Sequence, residues 1–320
     1  MDPRRVTSHK LRNIIQTVLL LGGMTALLML VGWLLAGSTG LWCAAAGIVL
    51  LAGGQRLAPQ ALFRMYRARR LTPAEAPALF RIVEALTQRA RLPVTPRLYY
   101  IPSAMMNAFT VGQQHSAAIG VTDGLIRRLS QRELAGVLAH EISHILHRDT
   151  WVMGMADVVS RMTAMGALVG KLFLLLAVPA MLLSQFSPPW MLILVLLSAP
   201  TVSALLHLAL SRTREFDADL EAAQLTGDPA GLASALAKLE YDHHGVFARL
   251  FFPGRRLPEP SLLRTHPTTA GRIARLRALA GDRGLQRHTP MPTAARRVPL
   301  TVQIPQVVHL LRWCPEGVRP

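Results

Sequence analysis

A chain of 320 residues, 51% hydrophobic and only 17% charged, has room for one or two domains and more apolar surface than a single soluble core needs. Cys43 and Cys314 are its only cysteines, which excludes a disulfide framework and argues against thiolate metal binding. The net charge of +17 comes almost wholly from arginines scattered beside apolar blocks, with no RNA-binding aromatic motif among them, so it points to an anionic membrane face and not to nucleic acid.

Residues 14–35 form an apolar run with Gln16, Thr17 and Thr25 as its polar members, long enough to cross a bilayer. A Gly-Ser-Thr-Gly turn at 37–40 leads into a second, shorter run. Residues 1–55 therefore read as a tight transmembrane hairpin with spans at about 14–35 and 38–53. A cleaved signal peptide with Arg4, Arg5, Lys10 and Arg12 as its basic start is the alternative; the apolar run is too long for that, and a second span follows at once. Arg56, Arg64, Arg67, Arg69 and Arg70 follow the hairpin and its turn is uncharged, so both ends are expected in the cytoplasm.

Residues 56–150 have the pattern of a soluble unit. Thr72-Pro73-Ala74-Glu75 is a capping box that predicts a helix to about Arg91, stopped by Pro93 and Pro96. Extended segments are predicted at 97–101, 107–111 and 117–121, with a turn at 112–115. A second capping box, Ser130-Gln131-Arg132-Glu133, opens the helix that carries HEISH at 140–144. A second hairpin is expected over 151–210, with spans at about 165–183 and 190–210 and an uncharged turn at Ser187, Pro188 and Pro189. Arg148 and Arg212 then lie on one, cytoplasmic, side. In the next unit, 211–284, Asp228-Pro229 opens a helix to about Tyr241, and residues 268–280 are again helical in pattern. Residues 247–256 mix aromatics with arginine as interfacial segments do, and 247–258 is the first candidate for a lid. The tail, 285–320, is proline-rich and receives no structure.

The chemistry concentrates in HEISH. His140 and His144, four apart on a helix, point the same way and can share one zinc ion. Glu141, rotated by roughly 100 degrees, is placed to reach water beside a metal and not the metal itself. The pattern is short enough to arise by chance, and a catalytic site needs a third protein ligand. Glu215 supplies one from the same side of the membrane, just after the fourth span, in SRTREFDAD at 211–219. Asp219, one turn further, is placed to hold the far nitrogen of a ligand histidine. His147 falls one position off the ligand face and reads as a helix-end residue, and His243 and His244 as solvated ones. His266, before Pro267, and Arg272 are candidates for stabilising an oxyanion.

Together, Asn107-Ala108-Phe109, HEISH, SRTREFDAD and His266-Pro267 with Arg272 resemble the HtpX kind of membrane zinc metallopeptidase, related to the CAAX prenyl endopeptidases. The resemblance implies a mainly α protein with a small sheet, four spans and a cytoplasmic zincin-like domain made of residues 56–150 and 211–284. It implies one zinc ion on His140, His144 and Glu215, with Glu141 as general base and Asp219 behind the ligands. Asn107, Ala108 and Phe109 would bind substrate backbone, and His266 and Arg272 would line the cleft. The implied task is hydrolysis of damaged or misfolded membrane proteins in a bacterial inner membrane. Phe216 stands where a tyrosine is often found, and the tail past Gly284 departs from the family's pattern. Two rivals remain open on sequence grounds. A site-2 type intramembrane protease would place the motif inside a span, which Arg132, Glu133, His147, Arg148 and Asp149 oppose, and would need a Leu-Asp-Gly segment that is missing. A non-catalytic scaffold would close the metal with four protein ligands.

Overall fold

The apolar blocks become three long helices, and the polar stretches between them fold into a small sheet wrapped by shorter helices. The computed structural model describes residues 3–54, 63–183, 189–249 and 269–282. In chain order these form α1 (Pro3–Gly54), β1 (Arg69–Arg70), α2 (Pro77–Arg89), β2 (Arg97–Ile101), β3 (Ala108–Val111), β4 (Ala118–Thr122), α3 (Asp123–Arg128), α4 (Gln131–Leu146), α5 (Asp149–Leu183), α6 (Trp190–Thr226), α7 (Pro229–Arg249) and α8 (Thr269–Asp282).

Helices α1, α5 and α6 contain the three segments among the described residues that are long and apolar enough to cross a membrane. The first is not straight. Ala36 and Gly37 leave helical geometry, Gly37 at a φ of 59°, and the chain doubles back so that Gly32 faces Gly40 and Ala44. A Cβ at position 40 would lie 1.9 Å from the Gly32 carbonyl oxygen, so the two arms touch backbone to backbone and glycine is required. Met24, Leu28 and Ala44 of this hairpin pack with Val152, Ala156 and Val159 of α5 and Leu210 of α6. The outward faces stay apolar and exposed, among them Leu19, Trp42, Leu50, Leu176 and Met191, as suits lipid contact.

The sheet has the order β1-β2-β4-β3, with β2 parallel to β4 and both outer pairings antiparallel, so β3 is an edge strand. Beneath it lies one core drawn from distant parts of the chain. Leu134, Leu138, Ile142 and Ile145 of α4 meet Leu79, Val83 and Leu86 of α2, Ile119 and Val121 of β4, Ala222 and Ala223 of α6, Leu232 of α7 and Ile273 and Leu276 of α8. Each fully buried leucine or isoleucine here contributes roughly 1.5–3 kcal/mol relative to exposure. This core locks α4 against the C-terminal part of α6.

Local signals hold with instructive exceptions. The Ser130 box forms as expected, its side chain capping Glu133 while Glu133 caps Ser130 in return. The Thr72 box forms only in half: the Thr72 N–H and hydroxyl donate to the Glu75 carboxylate, but the Glu75 N–H donates to the Thr72 carbonyl and not to its hydroxyl, and a single turn results. The helix starts only at Pro77, because proline drives Ala76 out of the helical region, to φ −142° and ψ 59°. Strand β1 has no signal in the sequence, since two exposed arginines carry no strand pattern. Helix α7 runs to Arg249, past the end expected near Tyr241. The predicted segment 247–258 lies beyond residue 249 outside the described residues, as do His266, Pro267 and the tail from residue 283.

Candidate active site

Helix α4 presents His140 and His144 on one face with their Nε2 atoms 3.1 Å apart. Its start is fixed by the Ser130 cap and its buried face by Leu138 and Ile142, both 0% exposed, so the two imidazoles have little freedom to turn away. Helix α6 does not stop at the membrane. It continues as one helix into the polar region and carries Glu215 to the histidines, its Oε2 lying 3.4 Å from His140 Nε2 and its Oε1 3.7 Å from His144 Nε2. One atom from each of the three residues lies within 4.8 Å of the others. Two ligand atoms bound at about 2.0–2.1 Å in a tetrahedron stand about 3.3–3.4 Å apart, so this His-His-Glu set fits a zinc-sized cation without rebuilding.

Each histidine is held from behind by a carboxylate, and each carboxylate by an arginine. His140 Nδ1 lies 3.1 Å from Asp219 Oδ1, and Asp219 accepts from Arg272 at 2.6 and 2.7 Å. The third guanidinium nitrogen of Arg272 lies 2.9 Å from Glu215 Oε2. His144 Nδ1 lies 2.8 Å from Asp149 Oδ2, whose other oxygen forms an ion pair with Arg214 at 3.2 Å, without hydrogen-bond geometry. Burial disfavours charge on His140, but its bonds to Asp219 and Glu215 outweigh it and hold its pKa up at about 10. The same contest, burial against the Asp149 bond, leaves His144 raised. Arg272 is pushed up despite burial by Asp219 and Glu215 and stays charged. Glu141 sits beside the ligand face, 8% exposed, and accepts a 2.8 Å bond from the Thr110 hydroxyl of edge strand β3.

The predicted residues His140, Glu141, His144, Glu215, Asp219 and Arg272 therefore meet in one place. Arg272 does so with its guanidinium engaged by two carboxylates, not turned toward an open cleft. His147 caps the C-terminus of α4 and lies 3.6 Å from Glu221, away from the ligand atoms. Asn107 and Ala108 are half-buried at the start of β3; the Asn107 backbone is bonded on both its N–H and its carbonyl to Thr122. The Phe109 ring turns inward, stacked 5.8 Å from Phe63, so only its backbone remains for an edge-strand role. Asp149, Arg214 and Thr110 escaped sequence reasoning. For Asp149 a signal existed, an acid at the point where one helix ends and the next begins, five residues past His144.

A cation site of two histidines and a glutamate, a glutamate beside it and a membrane-crossing helix running into it define a membrane metallopeptidase. The chain belongs to peptidase family M48, whose model matches residues 73–280. It is 38% identical over 288 residues to a protease HtpX homolog of Acaryochloris marina, covering 86% of this chain and 97% of that one. It is likewise 38% identical over 296 residues to protease HtpX of Legionella pneumophila, with 83% and 99% covered. A crystal structure of S. mikatae Ste24p aligns at a TM-score of 0.48 and 21% identity, over 84% of this chain and 66% of that one. The protein is thus a membrane metalloprotease, a hydrolase of peptide bonds, and metallopeptidases of this family are zinc-dependent in general.

Proposed function

We propose that zinc is held by His140, His144 and Glu215, that Glu141 is the general base, and that Asp219 with Arg272 positions His140 and Glu215. The observation that carries this reading is the convergence of three ligand atoms within 4.8 Å from helices 71 residues apart in the chain (215 − 144). Zinc, when bound, supplies an acidified water and polarises the scissile carbonyl. Glu141 takes a proton from that water at its carboxylate and delivers it to the leaving amine, its rotamer held for both transfers by Thr110. Edge strand β3, Ala108–Val111, receives the substrate as an added strand beside Asn107, whose own backbone is tied to Thr122; this fixes the carbonyl by backbone bonds and leaves sequence preference weak. His266 lies outside the described residues, and its place lining the cleft rests on the resemblance alone.

In the same reading α1 contributes two spans through its reversal at Ala36 and Gly37, and α5 and α6 two more, around a catalytic unit made of residues 56–150 and 211–284. Arginines flank every cytoplasmic end, so the site faces the cytoplasm of a bacterial inner membrane. Substrates are misfolded or damaged membrane proteins, brought to a site carried on the same helix that crosses the bilayer. A site-2 reading is disfavoured because α4, which carries HEISH, packs in the hydrophobic core under the small sheet and is not one of the membrane-length helices among the described residues.

The purified protein in detergent tests this directly. Glu141→Gln is expected to keep its metal and lose roughly 10²–10⁴-fold in cleavage of an unfolded membrane protein. Glu215→Ala is expected to lose the metal itself. Cleavage by Glu141→Gln at the wild-type rate, or undiminished zinc in Glu215→Ala, would overturn the assignment.

A further inference from the structure

His140 has a known kind of support in Asp219, one turn from Glu215 on the same helix. The support of His144 is of a different origin. Asp149 is the first residue of α5, the helix that leaves for the membrane, and Arg214 sits next to Glu215 on α6, the helix that returns. Asp149 reaches back to His144 because Arg148 takes a left-handed backbone, φ 54°, and turns the chain between α4 and α5; the Arg148 carbonyl then accepts the Trp151 and Val152 N–H groups to start the new helix. A carboxylate at that helix N-terminus is favoured by the helix dipole and is 3% exposed.

The consequence is a closed ring of contacts about one imidazole. Glu215 Oε1 lies 3.7 Å from His144 Nε2, while its neighbour Arg214 acts on the opposite side of the ring, 3.2 Å from Asp149, which holds Nδ1 at 2.8 Å. The bond to Asp149 requires a proton on Nδ1 and so turns the Nε2 lone pair toward the ligand position. Both grips on His144 end on α6, one directly and one through the first residue of α5. Sliding or rotating α6 against α5 moves both at once.

We infer that Asp149 is a positioning residue for His144 and that Arg214 acts through it, so that the metal site is tied to the packing of the two membrane helices at their polar ends. This rests on His144 being a metal ligand. The pair is buried, with side-chain exposures of 4% for Asp149 and 13% for Arg214, so it is neither a surface ion pair nor screened as one.

The test uses the full chain in detergent and reads metal affinity by competition with a zinc chelator, the visible spectrum of the cobalt-loaded protein, and kcat and KM separately. Asp149→Asn is expected to weaken zinc about 10–100-fold and to shift the cobalt bands. Arg214→Gln should weaken it less, with Arg214→Lys restoring most of the loss. The double variant Asp149→Asn/Arg214→Gln should be no worse than Asp149→Asn alone, because Arg214 acts only through Asp149. Wild-type affinity and spectrum in Asp149→Asn, or losses that multiply in the double variant, overturn the inference. Should Asp149→Asn fail to fold, Arg214→Gln decides: an unchanged affinity and spectrum there also overturns it. His144→Ala separates the two layers. If it keeps zinc, the ligand assignment fails; if it loses zinc while Asp149→Asn keeps it, only the positioning role fails.

Discussion

Thr110 fixes the rotamer of Glu141 by a charge-assisted bond from a strand the substrate would pair with, which makes it a sensitive reporter of the mechanism. Thr110→Val keeps the shape and removes the donor. A bond to a charged group contributes roughly 1.5–3 kcal/mol, so kcat is expected to fall about tenfold or more, with metal content and KM little changed; steady-state kinetics beside metal analysis checks it. His140 sets a pH dependence. Its folded pKa, about 10 against an ordinary 6.5, is raised, so in chelator-treated protein its contribution to stability is whole below 6.5 and lost as pH rises through about 10. The midpoint of thermal unfolding of that form should therefore fall between pH 7 and 10. Metal binding must displace the same proton, so apparent zinc affinity should rise with pH, up to about tenfold per unit for one proton. At this scale the sequence reveals what lies within one helical turn: His140 with His144, Glu215 with Asp219. Thr110 and Arg214 meet their partners only through tertiary packing, and no spacing announces them.

The helix and turn between His144 and Asp149 form the element on which the site is most easily disturbed. Arg148 adopts a left-handed backbone that glycine accepts freely and a β-branched residue resists. Arg148→Gly is expected to preserve zinc binding and activity, and Arg148→Val to weaken both while leaving the sheet intact, as circular dichroism and chelator competition would show. A Val variant indistinguishable from Gly would mean the turn does not set Asp149. The N-terminal end of the same helix rests on Glu133, whose carboxylate is desolvated yet held down at about 2 by Lys238, Ser234 and Ser130. A cap of this kind with a 3.6-residue period is legible in sequence, which is why α4 starts where expected; α8 also falls close to the expected 268–280, whereas α6 runs unbroken from Trp190 to Thr226, past the span end expected at 210. Departures have local causes too: Pro77 delays α2, and α7 continues to Arg249, past the end expected near Tyr241.

Over the whole molecule, distances around the site fix its chemistry and leave the topology to the membrane. The reversal at Ala36 and Gly37 brings Gly32 against Gly40, and nothing larger than glycine fits there. If both arms cross the bilayer, residue 38 faces the side opposite the site and residue 148 shares the side of the site. The arginines before and after each hairpin then meet the anionic cytoplasmic face, where each is favoured by about 1 kcal/mol. In a background with Cys43→Ala and Cys314→Ala, a cysteine placed at Ser38 should react with a membrane-impermeant maleimide on intact spheroplasts. One placed at Arg91, an exposed position on the polar unit, should react only after permeabilisation. Labelling of both from the same side would mean that α1 does not cross twice and that the hairpin lies in one leaflet. Gly40→Leu sharpens the comparison, because prying the arms apart should alter labelling at residue 38. It should also loosen Met24, Leu28 and Ala44 from Val152 and Ala156 near the start of α5, and so lower metal affinity at a site the substitution never touches.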